Sequence, residues 1–382
     1  MNNLQTKVIL FSVAHFLVDL ACAYLLFFRI NGTGEWYLCI LLYNFCAFAL
    51  QMPAGLLADR WNRNAICAAS GCVLVAAAYG CWNMPVAMSL IAGIGNCMFH
   101  VGGGIDILNL GSKKISLLGI FVAPGAFGLY LGTMYGKQGT DASLNIAIAL
   151  LLTAVLILLL QYASERTLKS DNDPVSLRTA SLGTISTSIS TGRRIAKNAG
   201  ELKAAAAVGA IACLFLVVCL RSYVGMTLAF PWKGQGSWGL ILIFAVVLGK
   251  MAGGILADTF GILRTTTVSL GLSAILFLFS GNPIAGVGAV FLFNMTMPLT
   301  LWAVSRILPG IKGFTFGLLT FGLFLGFIPV YLGLSPVFSD GAGYASAAVI
   351  SFALLCMGLV LAGAGQFNRK SVRSDAKQRE SI

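Results

Sequence analysis

Apolar residues fill the chain in runs of 17 to 25, separated by short polar breaks, and the runs show no alternation of apolar and polar positions. A helix rising about 1.5 Å per residue needs roughly 20 apolar residues to cross bilayer hydrocarbon, whereas strands of a transmembrane barrel alternate. Each run is therefore read as a spanning helix. Twelve spans are predicted, at about 8 to 28, 36 to 57, 65 to 82, 84 to 105, 115 to 135, 143 to 162, 204 to 228, 237 to 257, 265 to 281, 284 to 305, 312 to 334 and 342 to 364. The first begins close to Met1, has no small-residue cleavage site and leads directly into further spans, so it reads as a retained signal anchor.

Composition narrows the class. Of the 382 residues 58% are hydrophobic and 10% charged, with a mean hydropathy of +0.88, too little polar surface to cover a soluble globule. The fold expected is an all-α membrane protein of twelve helices in two six-helix bundles. The first bundle is placed at 1 to 162 and the second at 204 to 364, with a polar linker at 163 to 203 and a basic tail at 365 to 382. The linker carries a Ser/Thr-rich run, Thr184 to Thr191, and the cations Arg193, Arg194 and Lys197. Residues 191 to 203 read either as a short surface helix drawn to anionic lipid or as a plain solvated linker.

Charge sets the orientation. Of 25 Lys and Arg residues, 20 fall on the side shared by both termini, three on the other, and Arg221 and Lys250 lie within spans. Positively charged loops resist translocation, so both termini are expected in the cytoplasm and the protein in the cytoplasmic membrane. The net charge of +12 is dispersed among these loops and is not gathered into a nucleic-acid-binding face. The ten Cys sit in or beside apolar spans without CxxC spacing and read as small core residues, not as disulfides or metal ligands.

The halves repeat. Gln51-Met-Pro-Ala-Gly-Leu-Leu-Ala-Asp59 aligns with Lys250-Met-Ala-Gly-Gly-Ile-Leu-Ala-Asp258 at five of nine positions, both at the cytoplasmic end of the second span of their half. The offset of 199 also lays span seven on span one. Parallel repeats are a known transporter architecture in which two bundles rock about a central site.

The segment Gly55-Leu-Leu-Ala-Asp59-Arg60-Trp-Asn-Arg63 resembles the loop motif of the major facilitator superfamily, G-x-x-x-D-R/K-x-G-R-R/K. Asn62 replaces the family Gly and Asn64 a basic residue; the second copy keeps Gly254, Asp258 and Gly261 and lacks the Arg positions. The resemblance implies a gate in which Asp59, beside helix ends and Arg residues, latches one conformer and releases in the other. Gly119, Pro124 and Gly128 on span five are similar to the superfamily motif G-x-x-x-G-P-x-x-G-G, found mainly in proton-exchanging exporters. His15-Phe-Leu-Val-Asp19 and Phe99-His100-Val-Gly-Gly103 look like His-Phe-x-x-Asp and Phe-His-Pro-Glu-Gly segments of fosmidomycin-resistance-type exporters, with Val101 and Gly102 in place of Pro and Glu.

Ionisable residues inside spans are costly and point to function. His15 and Asp19 are four apart on one face of span one, and His100 lies at a similar depth on span four. In the superfamily spans one, four, seven and ten line the cavity, which would bring these three together for proton coupling or substrate binding. A satisfied interhelical hydrogen bond is the competing reading of each His. Arg221 either pairs with Asp19, binds an anionic substrate or snorkels outward. Lys250 faces the cavity or reaches past Asp258 to the cytoplasm, while Asn96 and Asn294 bind substrate or hydrogen-bond between helices.

HExxH, G-x-S-x-G and paired catalytic carboxylates within spans are missing from the sequence, so no enzyme is expected. The function expected is secondary transport of a small organic molecule by alternating access, with proton-coupled export ahead of import or uniport of a polar or anionic metabolite and of a non-transporting receptor. Protons, substrate and lipid are the expected partners, with no cofactor, no metal and no nucleic acid, and a monomer is the expected working unit.

Overall fold

A computed structural model describes residues 3–112, 114–170 and 193–363. The basic tail and residues 171–192 of the linker lie outside the described residues. Ten helices of 20 to 27 residues are long and apolar enough to cross a bilayer, and two shorter apolar helices, Asn64–Ala78 and Ile262–Leu278, stand where spans three and nine are predicted. The protein is a multi-pass helical membrane protein.

Span one is Asn3–Leu25 continued by a π-helical turn, Leu26–Ile30, and span two is Trp36–Asn44, a second π-turn at Phe45–Ala49, and Gln51–Trp61. Spans four to six are Pro85–Leu110, Ile115–Gln138 and Ser143–Ser170. Spans seven and eight are Arg193–Thr227 and Trp238–Phe260; span ten is Pro283–Asn294 and Thr296–Ile307, interrupted at Met295; spans eleven and twelve are Lys312–Tyr331 and Gly341–Leu361. The stretch expected as a separate surface helix or solvated linker is, from Arg193 onward, the first turns of span seven.

Helix ends follow local chemistry. The Asn282 side chain accepts hydrogen bonds from the Ile284 and Ala285 N–H groups, and Asp340 accepts one from Gly343. Pro85 and Pro283 occupy first turns, where no intrahelical donor is lost. After the two repeat helices the chain turns through left-handed backbone at Asn62 (φ 49°) and Gly261 (φ 88°), which are 199 residues apart. Asn tolerates that conformation better than other residues with a Cβ, which explains how Asn62 stands where the superfamily motif has Gly.

Close helix contacts are made by glycine. Along span five, Gly128, Gly132 and Gly136 lie against the backbone carbonyls of Phe16, Leu20 and Tyr24 on span one, with no room for a Cβ. Between the halves, Gly55 abuts Gly313 and Gly317 abuts Gln51 where spans two and eleven meet; Gly119 abuts Lys250 and Gly254 abuts Ile115 and Ser116 where spans five and eight meet. The second crossing is the repeat image of the first.

Candidate functional site

The densest polar cluster within the spans forms where spans one, four and five touch. His15 donates from Nδ1 to the Phe121 carbonyl at 2.8 Å, and His100 donates from Nδ1 to the Asn96 carbonyl at 2.9 Å. A carbonyl only accepts, so each bond fixes a proton on Nδ1 and turns Nε2 toward the same carboxylate. His15 Nε2 lies 3.2 Å from Asp19 Oδ2 and His100 Nε2 3.6 Å from Asp19 Oδ1. Asn96 Nδ2 donates to Asp19 Oδ1 at 3.2 Å, and the imidazole rings meet edge to face at 4.5 Å. Both His side chains are 8% exposed and Asp19 is 20% exposed, so the carboxylate is the open member.

With both Nδ1 protons committed, neutral imidazoles would present bare nitrogens to a bare carboxylate. Acceptors then face each other at about hydrogen-bond distance, an arrangement completed by one added proton between His15 and Asp19. The three donor atoms lie within 4.8 Å of one another, a spacing that one small cation can serve. The sequence reading expected no metal, and this donor set of two imidazoles and a carboxylate would also accept a divalent ion.

At one end of the bundle, the two repeat aspartates join the halves. Asp59 accepts from the backbone N–H groups of Gly313 (2.7 Å) and Phe314 (2.9 Å), at the start of span eleven. Asp258 accepts from those of Ile115 (2.7 Å) and Ser116 (3.0 Å), at the start of span five. Each carboxylate caps free donors of a helix N-terminus, where the helix dipole also favours negative charge. Arg60 and Arg63 are exposed and make no ion pair with Asp59, so of the two kinds of partner expected, helix ends and Arg residues, the contact is made with a helix end of the other half. Lys312 adds a third tie, donating to the Leu108 carbonyl and to Asn109 Oδ1 at the end of span four.

Between the halves lies a cavity of about 40 Å³ lined by Val122 of span five, Arg221 of span seven, Thr300 and Leu301 of span ten, and Phe316 and Thr320 of span eleven. Arg221 is 8% exposed and its Nη1 is buried with no hydrogen-bond partner. Among the described residues no carboxylate stands within ion-pair distance of it, so it is not paired with Asp19, and its burial does not fit an outward snorkel. Lys250 is half-buried and makes no ion pair with Asp258. Asn294 is bonded to the Val290 carbonyl of its own helix, so it is no counterpart of Asn96.

No family model matches the chain and no curated protein matches it in sequence. Solved structures do. A Major Facilitator Superfamily transporter, FucP, in the outward conformation aligns with a TM-score of 0.60 and 16% identity, covering 94% of this chain and 99% of that one. A variant of the E. coli fucose:proton symporter FucP aligns with a TM-score of 0.54 and 13% identity over the same shares. The chain has the major facilitator fold.

Within the major facilitator fold, spans one and four hold His15, Asp19, Asn96 and His100 together, while spans seven and ten contribute Arg221 and Thr300 to the cavity between halves. Of the span-five residues, Gly119 meets span eight and Gly128 meets span one, and the helix continues unbroken through Pro124. Gly125 was not singled out from the sequence. A Cβ there would overlap His15 Nε2 and stand 2.5 Å from Asp19 Oδ2, so its lack of a side chain makes room for the cluster. Its place in a row of small residues on one helix face was the available signal. The backbone donors at Ile115, Ser116, Gly313 and Phe314 had none, because any residue carries an N–H.

Proposed function

We propose that the protein is a secondary active transporter that moves a small organic molecule across the cytoplasmic membrane by alternating access, coupled to protons through His15, Asp19 and His100. The observation that carries this reading is the fixed tautomers: two Nδ1–H groups held by backbone carbonyls aim two Nε2 atoms at one partly open carboxylate, which makes a proton-binding site. Alternating access follows from the aspartate contacts of Asp59 and Asp258. They hold bundles 1 to 162 and 204 to 364 together at the end that charge asymmetry places in the cytoplasm, and they must break when that end opens.

Export in exchange for protons is the direction implied by the span-five motif and the likeness of the His15 and His100 segments to exporters. Uptake of an anionic metabolite with protons is the second reading, and unpaired Arg221 favours it.

The test is transport in proteoliposomes under an imposed pH gradient, with a panel of organic substrates and an internal pH dye. A substrate flux should accompany proton flux in the parent, and Asp19→Asn should lose proton flux while remaining folded. Flux indifferent to the gradient, or an Asp19→Asn variant that still moves protons with substrate, would overturn the proposal. Chelator treatment should leave coupling intact; loss of coupling on metal removal would assign the cluster to a metal ion instead.

A further inference from the structure

We propose that the transported molecule is a small organic anion, with its oxyanion group (carboxylate, phosphate or sulfonate) bound by Arg221. The proposal rests on the transport reading and adds the substrate class.

A guanidinium carries five donors and keeps its charge, so burying it without a counter-charge costs several kcal/mol. Arg221 accepts that cost: it is 8% exposed, its Nη1 has no partner, and it lines a cavity that contains no carboxylate. The acid deep within the spans, Asp19, is already engaged by His15, His100 and Asn96. Lys250 of span eight is half-buried and also has no ion-pair partner among the described residues. Of the other acids described on the spans, Asp59 and Asp258 are engaged by helix N-termini, Asp106 by the Asn64 amide at 2.8 Å and Glu165 by the Gln161 amide at 2.8 Å. Two cations within the spans therefore lack a carboxylate partner among the described residues, and each proton taken up by the histidine cluster adds to the positive excess.

A neutral ligand would satisfy the open donor and leave the charge; an oxyanion satisfies both, with bidentate geometry suited to guanidinium. The remaining lining, Val122, Leu301 and Phe316, suits a carbon skeleton. Room for only about 40 Å³ admits a head group in this conformer, and the rest of a substrate requires the halves to part.

The test measures binding at equilibrium, without a gradient, so that it fails or succeeds independently of proton coupling. Purified full-length protein is heated with acetate, with methylphosphonate, with methanesulfonate or with uncharged acetamide, at constant ionic strength. At least one of the three anions should raise the unfolding temperature and acetamide should not; which anion does so separates carboxylate, phosphonate and sulfonate substrates. Arg221→Gln should reduce the apparent affinity tenfold or more, and Arg221→Lys should retain part of it. Arg221→Met should be at least as stable as the parent without anion and indifferent to anion, since it removes an uncompensated buried charge. No anion response beyond that of acetamide, an Arg221→Gln variant that responds like the parent, or an Arg221→Met variant that is strongly destabilised would overturn the proposal.

Discussion

Asp59 and Asp258 stand 199 residues apart in the chain and make the same contact from opposite halves, each accepting two backbone N–H bonds from the first turn of a helix in the other half. Hydrogen bonds to a charged group contribute about 1.5–3 kcal/mol each, so each carboxylate biases the closed state of its end of the bundle. Asp59→Asn and Asp258→Asn keep one acceptor oxygen and place a donor against a second N–H. Each should raise the open-to-closed ratio about tenfold or more, and the double variant should combine both effects because the sites share no partner. A reporter cysteine at Ile105, which is 4% exposed and packs beside Gly313 at this contact, should label faster in each variant in a background without the ten native Cys. Unchanged labelling in the double variant would remove these contacts from the gate.

The cluster depends on a residue with no side chain. A Cβ at Gly125 would overlap His15 Nε2, whereas one at Gly225 meets nothing within 4 Å. Gly125→Ala should therefore separate His15 from Asp19, abolish substrate-linked proton movement and cost about 1–3 kcal/mol, while Gly225→Ala should be neutral or gain slightly from helix propensity. Thermal unfolding and proton flux measured on both variants check this, and equal behaviour of the two would refute it.

What the sequence allowed and what it withheld follow from contact range. Spans are local averages of apolarity, and the repeat is a self-comparison, so both are readable without coordinates. His15 and Asp19 lie one helical turn apart, and that spacing alone puts them on one face. The partners of Asp59 are 254 and 255 residues away and are backbone groups, which carry no residue-specific mark. Asn96 and Asn294 are alike in type and depth along the chain, yet Asn96 reaches Asp19 on another span whereas Asn294 bonds the Val290 carbonyl of its own helix beside the interruption at Met295. Arg221 shows the same limit: its type suggested an anion, a carboxylate partner or an outward reach, and only burial and the empty Nη1 separate these.

The left-handed turn at Asn62 predicts an asymmetric mutational response. At φ 49° a glycine is free of strain, an asparagine is tolerated and a β-branched residue is not. Asn62→Gly should leave stability within about 0.5 kcal/mol of the parent, and Asn62→Val should cost about 1–2 kcal/mol. Unfolding temperatures of the two variants decide the matter; a neutral Asn62→Val would mean that this turn rearranges freely.

On the opposite end of the bundle, Asp141 is held below the usual carboxylate range by the hydroxyl and backbone N–H of Ser143, with Arg29 at 3.0 Å adding to the effect. Arg29 also stacks over Trp82, with its guanidinium carbon 3.3 Å from the ring centroid. A depressed folded pKa gives stabilisation that is fully present above the unfolded value and is lost as pH falls through the folded value, here below the ordinary 3.8. This clasp is thus constant across physiological pH. Asp141→Asn should leave the pH profile of transport unchanged between pH 5 and pH 8, values well above about 3.9. A shifted profile would relocate part of the pH response from the membrane interior to this loop.

The sign of proton movement on ligand binding distinguishes the two transport directions. Asp19 faces His15, His100 and Asn96 of the first half. An anion seated at Arg221 brings a second negative charge into the interior that holds Asp19. Repulsion between the two falls when the cluster holds a proton, so anion and proton should bind cooperatively, and by linkage each raises the other's affinity by the same factor. Adding acetate or methylphosphonate to weakly buffered protein should therefore produce proton uptake, measured with a pH dye or as a buffer-dependent binding enthalpy, and Asp19→Asn should abolish it. Uptake means that anion and protons travel together and would move the assignment to the second reading, proton-linked uptake; release would mean that they compete for the site, as export in exchange for protons requires.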